Sequence, residues 1–97
     1  MLNVRFEWDE NKNRVNIHKH GVSFSEAMTV FDDPNVLYKP DPDHSRQEER
    51  YIVLGFSEKM RILIVCHCYY ESDLIIRIIS ARKATTNETD QYRSGAP

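Results

Sequence analysis

Three consecutive apolar segments, rich in β-branched residues, most strongly constrain the fold of this 97-residue chain. They cover residues 51–56, 62–69 and 74–81, and only short polar stretches separate them. Connections this short join antiparallel neighbours, because a parallel crossover needs a dozen or more residues. The sequence therefore predicts an antiparallel sheet built from hairpins.

Helical signals precede this sheet. Residues 4–8 alternate apolar and polar side chains, which indicates a short half-buried strand. Asp9 then has the character of a helix N-cap, and Gly21, directly after two cationic residues, marks the helix end. Within this first helix, Val15 and Ile17 are expected to face the core, with the polar residues outside.

Two further helices begin at capping boxes. Ser23 with Glu26 opens a short second helix, and Thr85 with Glu88 opens a last one near the C-terminus. We therefore expect one α+β domain over residues 1–97, with a twisted antiparallel sheet, two N-terminal helices and one C-terminal helix. Because the central strands are apolar on both faces, the last helix or a partner protein is expected to cover part of the second face.

Composition limits the class of function. The net charge is −2, whereas most domains that bind polyanions are basic, so any phosphate site must be a local patch. No stretch approaches the roughly 20 apolar residues of a membrane span. Residues 1–5 lack the pattern of a signal peptide, so the chain is expected to be cytoplasmic. Residues 94–97 are expected to be frayed.

Neither a metal ion nor a cofactor is predicted. Cys66 and Cys68 lie on one side of a strand and His67 on the other, so they do not form one ligand set. The two cysteines are better explained as small buried apolar residues. The acidic residues between positions 41 and 49 match no cation-binding spacing.

Arginines on rigid strands are the main candidates for chemistry. Arg77 and Arg82 belong to the last strand and Arg50 begins the first hairpin strand. A guanidinium holds phosphate with two parallel hydrogen bonds, which lysine cannot do. Alternation places Arg77 and Arg82 on opposite faces unless the strand ends or bulges before Arg82. The alternative is that these arginines only pair with nearby carboxylates.

Proton-transfer candidates lie close to Arg50 in the sequence. His44 and Glu48 occupy the loop that leads into its strand, and functional residues are common at such boundaries. The alternative is a solvated acidic loop. His67, in an apolar strand, is either a base or a hydrogen-bonded core residue.

Short motifs spread along the chain together form one pattern. They are Trp8-Asp9, Lys12, Lys19 to Phe24, Ala27, Val30-Phe31, Asp43 to Ser45, Glu48, Arg50, Gly55, Arg77 to Arg82, Ala84, Glu88 and Tyr92. Taken in order, these motifs resemble the BrnT family of toxins from bacterial type II toxin–antitoxin modules. The resemblance implies a RelE-like ribonuclease fold, RNA cleavage that arrests translation, and neutralisation by a BrnA antitoxin. That antitoxin has a ribbon-helix-helix DNA-binding part, and operator DNA is expected to be bound only through it.

The resemblance and the chemistry together predict a metal-independent endoribonuclease of the mRNA interferase type. The enzyme must deprotonate a 2′-hydroxyl, stabilise charge on the phosphorane and protonate the leaving oxygen. The alternative is a non-catalytic protein-binding module, either an antitoxin-binding co-repressor or an inactive toxin. The predicted site consists of Arg50 and Arg82 on the phosphate with Arg77 as a second candidate, Glu48, His44 or His67 for protons, and Lys19, His20 and Lys83 for substrate binding.

Overall fold

A computed structural model describes residues 4–46 and 48–95 of the chain. The expectations for residues 1–3 and for the last two residues lie outside the described part. The elements are β1 (Arg5–Glu7), α1 (Glu10–His20), α2 (Phe24–Thr29), β2 (Leu37–Pro40), β3 (Tyr51–Phe56), β4 (Ile62–Tyr70), β5 (Ile75–Lys83) and α3 (Thr86–Ser94), with short 3-10 helices at Val30–Asp32 and Pro42–His44.

The sheet confirms the α+β class and the predicted hairpins. Its strand order is β1-β5-β4-β3-β2, and the three long strands pair antiparallel, as does β2 with β3. The edge strand β1 instead runs parallel to β5, with Phe6 opposite Ile76. The sheet is therefore mixed rather than wholly antiparallel, because the long intervening chain returns to the same edge in the same direction.

Helix α2 and the residues that flank it cover one face of the sheet, which we call the core face, whereas α1 lies at the edge of β5 beyond β1. The side chains in this core are fully or almost fully buried, as expected for an apolar face under a helix. They are Val22, Phe24, Ala27 and Val30 from the helical segment, and Val53, Leu63, Val65, Ile78 and Ala81 from the strands.

Helix α1 contacts the sheet through amides, so the predicted orientation of this helix was wrong. Val15 and Ile17 are 63% and 44% exposed, whereas Asn13 and Asn16 are buried. The Asn16 amide donates to the Ala81 carbonyl and accepts from the Ala81 N–H, at 2.8 and 3.2 Å. It thereby satisfies the backbone of β5 beyond the end of β1, a requirement that alternation of apolar residues does not reveal.

The capping box of α2 forms only by half. Ser23 accepts a hydrogen bond from the Glu26 N–H as predicted. The Glu26 carboxylate is 1% exposed and does not reach back; it accepts from Arg61 and, at 2.6 Å, from the Ser57 hydroxyl. A buried carboxylate needs charged and hydrogen-bonding partners, and the β3–β4 turn supplies them.

Helix α3 covers part of the second face, as the sequence predicted. The Tyr92 ring packs against Phe56 with 5.7 Å between ring centroids, and its hydroxyl donates to the Asp33 carboxylate at 2.6 Å. The same carboxylate accepts the Phe56 N–H at 2.8 Å. Asp33 fits there because Gly55 has no Cβ, which would lie 3.0 Å from its carboxylate oxygen.

Candidate active site

A β-bulge in β5 brings the predicted arginines to one face. Cys66 of β4 pairs with Ser80, but the next residue, His67, pairs with Ile78, so Ile79 has no partner. The extra residue reverses the alternation. Arg77 and Arg82, which regular alternation would separate, consequently both lie on the second face.

An open cleft of about 220 Å³ lies on this second face, beside the bulge. Its floor is apolar and belongs to the strands, while charged and polar groups border it. The borders come from α1, the loop before β3, and β5. The lining residues are Ile52, Ile64, Cys66, Ile79, Ser80 and Ala81, with His20, Asp41, His44, Arg50 and Arg82.

Hydrogen bonds fix the backbone of Arg50 but not its guanidinium. Its N–H donates to the Ser45 hydroxyl at 2.9 Å and its carbonyl accepts the Asp41 N–H at 2.9 Å. The side chain is 31% exposed, and Glu48 is 3.7 Å from one terminal nitrogen. Within residues 4–46 and 48–95, the buried Nε atom has no hydrogen-bond partner. Such an unpaired donor is costly, and the partly exposed guanidinium borders the cleft with a charge that suits an anion.

Arg82 is fixed by a carboxylate on α3. Its two terminal nitrogens donate to the two Glu88 oxygens at 2.8 and 3.0 Å. Glu88 also accepts the Thr85 N–H at 2.8 Å and so completes the predicted capping box. The Arg82 guanidinium, more than the capping contacts, lowers the pKa of Glu88 to about 2. The N-terminus of α3 therefore sets the direction of Arg82.

His44 is oriented by Asp41. The imidazole Nδ1 lies 3.0 Å from both carboxylate oxygens of Asp41. Because a carboxylate only accepts, Nδ1 carries the proton and Nε2 remains to exchange one with a substrate. The Ser45 hydroxyl donates to the Asp41 carbonyl at 2.7 Å and closes this loop. His44 itself is 65% exposed, so a substrate can reach it.

Glu48 lies on the outer side of Arg50. Together with Asp43, His44, Arg46 and Arg50 it lines an open hollow of about 730 Å³ on the solvent side of the same loop. Its carboxylate accepts from the Tyr70 hydroxyl at 2.9 Å. Glu48, His44 and Arg50, which lie close together in the sequence, thus border the same hollow.

Cys66 forms part of the cleft floor as a neutral thiol. It is 8% exposed, and burial raises the pKa of its thiol to about 11. Cys66 and Cys68 are both buried and free, in agreement with the prediction. The floor is therefore uncharged beneath the two arginines.

The remaining predicted site residues lie apart from the cleft or at its edge. Arg77 donates to Glu7 at 2.7 Å. His67 is buried on the core face, where it bonds the Tyr69 hydroxyl at 3.0 Å and burial lowers its pKa to about 4. Lys19 lines a neighbouring groove, and Lys83 is exposed at the end of β5. Among the predicted residues, the cleft brings together His20, His44, Arg50 and Arg82.

Sequence reasoning missed the residues that position the others. Asp41 orients His44, and Glu88 orients Arg82. The three-residue spacing from Asp41 to His44, across a proline, was an available signal. Glu88 was recognised only as a helix cap. In the part of the chain that the structure describes, no three His, Cys, Asp or Glu side chains are grouped for a metal ion, and no helix is long and apolar enough to cross a membrane.

The fold and the cleft define a small α+β protein whose partly covered sheet face presents arginines and a carboxylate-bound histidine. A family model described as "Ribonuclease toxin, BrnT, of type II toxin-antitoxin system" matches residues 8–88. The chain belongs to this family of ribonuclease toxins. Its fold is similar to the crystal structure of the Brucella abortus ribonuclease toxin BrnT, with a TM-score of 0.62 and 24% identity over 86% of this chain and 99% of that one. A search of curated proteins finds no match.

Proposed function

We propose that this toxin is a metal-independent endoribonuclease that holds the scissile phosphate of single-stranded RNA between Arg50 and Arg82. The observation that carries the proposal is the Arg50 guanidinium, which borders the cleft with its Nε atom buried and unpaired among the described residues. Arg82, already fixed by Glu88, faces the same cleft. Two preoriented cations stabilise the charge that develops on a phosphorane.

In the proposed reaction, the 2′-oxygen forms a bond to phosphorus and the bond from phosphorus to the 5′-oxygen breaks. His44 Nε2 takes the 2′-hydroxyl proton, because Asp41 occupies the other nitrogen. The departing 5′-oxygen takes its proton from water, because Glu48, the other proton-transfer candidate beside Arg50, is held as an acceptor by Arg50 and Tyr70. The products are a 2′,3′-cyclic phosphate and a 5′-hydroxyl. His67 has no part in this scheme, because it is buried on the core face.

The family supports a proposal for the cellular role. We propose that cleavage of RNA in the cytoplasm arrests translation and that a BrnA-like ribbon-helix-helix antitoxin neutralises the toxin. Operator DNA is then contacted by the antitoxin and not by this chain. Support comes from the type II toxin–antitoxin family and from the net charge of −2, which does not favour direct binding to duplex DNA.

Induced expression in bacteria tests this function. The native chain is expected to stop growth and to deplete intact total RNA, and co-expression of the cognate antitoxin is expected to restore both. Arg82→Ala is expected to abolish the arrest. Arg93→Ala, which removes an exposed arginine of α3 away from the cleft, serves as the matched control and should arrest growth like the native chain. Equal growth of the native chain and Arg82→Ala, with both proteins folded, would contradict the proposal.

A further inference from the structure

A second groove adjoins the cleft and has a different chemical character. Its volume is about 310 Å³, and it lies between α1 and the bulged part of β5. His20, Ile79 and Ser80 line both spaces, so the two adjoin. The bulge that turns the arginines to one face also places Ile79 in this shared wall. The other lining residues are Asn11, Lys12, Val15, Asn16 and Lys19.

The groove combines an apolar wall with a cationic border. Val15 is 63% exposed there although it belongs to a helix that packs on the sheet. Ile79, the unpaired bulge residue, provides the opposite wall. Lys12 and Lys19 lie on the same side of α1 as Val15, at helical spacings of three and four residues. Apolar walls beside cations suit a flat, weakly polar group that is linked to phosphates.

From this arrangement we propose that the groove is a nucleobase subsite, which binds the base next to the scissile phosphate against Val15 and Ile79. The inference rests on the proposed function and adds the form of the substrate. A base reaches the groove only if it is unstacked, so the substrate is single-stranded RNA. Lys12 and Lys19 would contact the flanking phosphates, whose charge complements theirs.

Single-stranded RNA explains the groove better than a protein segment does. The groove adjoins the cleft in which we place the scissile phosphate, so a nucleotide beside that phosphate lies within reach of the groove. The groove carries lysines and no described acidic side chain among its lining residues. An RNA strand supplies both the flat bases and the anionic charge that the groove matches.

The test measures binding rather than cleavage, so that it does not depend on activity. The probe is a fluorescent single-stranded RNA with 2′-O-methyl groups, which cannot be cut, compared with an abasic oligonucleotide of equal length and charge. The chains are the native protein, Val15→Glu, and Ile17→Glu as the matched control. Ile17 is on the same helix, is apolar and 44% exposed, and does not line the groove. Both variants add one negative charge.

The native chain is expected to bind the base-bearing probe at least about 10-fold more tightly than the abasic one, within the 1–3 kcal/mol that a bound base commonly contributes. Val15→Glu should bring this ratio close to one, whereas Ile17→Glu should keep it. An unchanged ratio in Val15→Glu overturns the subsite. If Val15→Glu no longer binds the antitoxin but keeps the native ratio of affinities for the two probes, the groove is a protein interface and the subsite is also overturned. A collapsed ratio in a chain that cannot cut RNA leaves the subsite standing and refutes the ribonuclease function separately.

Discussion

The two faces of the sheet use the same strands for opposite purposes. On the core face, apolar side chains are sealed under α2 and the residues that flank it, and a neutral histidine is buried on the same face. On the second face, α3 covers one part, and two arginines and a histidine border an open cleft on the other. The comparison shows that titratable groups cannot be assigned a role from residue type alone. His67 and His44 differ mainly in which face they reach.

One irregularity, the bulge at Ile79, decides which face of the sheet each later side chain of β5 reaches. Without the bulge at Ile79, Arg82 would point toward the core face and Ala81 away from it. The bulge keeps Ile78 and Ala81 in the core while Arg77 and Arg82 both face outward. The amide of Asn16 then supports the irregular strand from the edge. The cleft is thus built by the same feature that preserves the core.

The largest effect is expected at Arg50 and should be confined to activity. Arg50→Ala is predicted to slow RNA cleavage about 10²–10³-fold, the usual cost of removing one donor that stabilises a developing oxyanion. The free energy of unfolding should change little, because the described structure gives the guanidinium no hydrogen bond. Initial rates on labelled RNA and denaturant unfolding check the two parts. An Arg50→Ala protein that is unfolded, or that cuts RNA at the native rate, would contradict the assignment of Arg50 to activity rather than to stability.

His67 should affect stability and not cleavage. Its pKa of about 4 in the folded chain lies below the ordinary value of 6.5, so the unfolded chain binds the proton first as pH falls. The stability that the neutral histidine contributes is therefore complete above about pH 6.5 and is lost progressively toward pH 4. At pH 5 the free energy of unfolding has fallen by about 2 kcal/mol for this reason.

Unfolding measured at pH 7 and pH 5 tests this contribution. His67→Leu is expected to lose most of the difference between the two pH values, whereas His18→Leu, at an exposed position of α1, should keep it. At pH 7, His67→Leu should cut RNA within about threefold of the native rate, since His67 lies outside the cleft. Loss of cleavage in a folded His67→Leu protein would return His67 to the list of catalytic candidates.

Glu88 should affect both properties moderately. Glu88→Gln keeps a side chain of the same size at the helix start but removes the charge that fixes Arg82. We expect about a 10-fold loss of cleavage and a loss of about 1 kcal/mol in stability, because Arg82 is 42% exposed and its pair is partly screened.

The stability contribution of this pair is lost on acidification, as that of His67 is, but over a lower pH range. Because the pKa of Glu88 is lowered to about 2, its stabilisation is present above the ordinary value of 4.5 and disappears as pH falls toward 2. The difference in unfolding free energy between the native chain and Glu88→Gln should therefore shrink from pH 5 to pH 3. A difference that stays constant over this range would show that Arg82 is held by something else.

The smallest effect is expected at Lys83. It is exposed at the end of β5 and is not among the residues that line the cleft. Lys83→Ala should weaken binding of noncleavable RNA by less than about threefold at low salt, and the effect should vanish in high salt as screening increases. A salt-independent loss would place Lys83 in direct contact with the substrate.

The predictable part of this molecule follows from local signals. The hairpin strands, the cap at Asp9, the stop at Gly21 and the capping box at Thr85 all depend on a few adjacent residues, and all are present. The orientation of α1 was not predictable, because the buried Asn16 amide forms hydrogen bonds with the backbone of Ala81, which is 65 residues away in the sequence.

The candidate cleft could be predicted only in part from the sequence, and its arrangement could not be predicted. His44, Glu48 and Arg50 lie close in sequence and also meet in space, and Arg82 joins His44 and Arg50 at the cleft. The bulge at Ile79 was anticipated only as one option, since nothing in the run of apolar residues marks it. Glu88 holds Arg82 and Asp41 holds His44 through contacts that appear only when the chain is folded.

Analysis of the RNA ends produced by the purified toxin tests the central claim most directly. Single-stranded RNA is incubated in EDTA with the native chain or with Arg50→Ala of equal thermal stability, and the new ends are identified. The account predicts that the native chain leaves 2′,3′-cyclic phosphate and 5′-hydroxyl ends and that Arg50→Ala leaves almost none. Equal cleavage by Arg50→Ala, or no cleavage by the native chain in EDTA, would contradict the account.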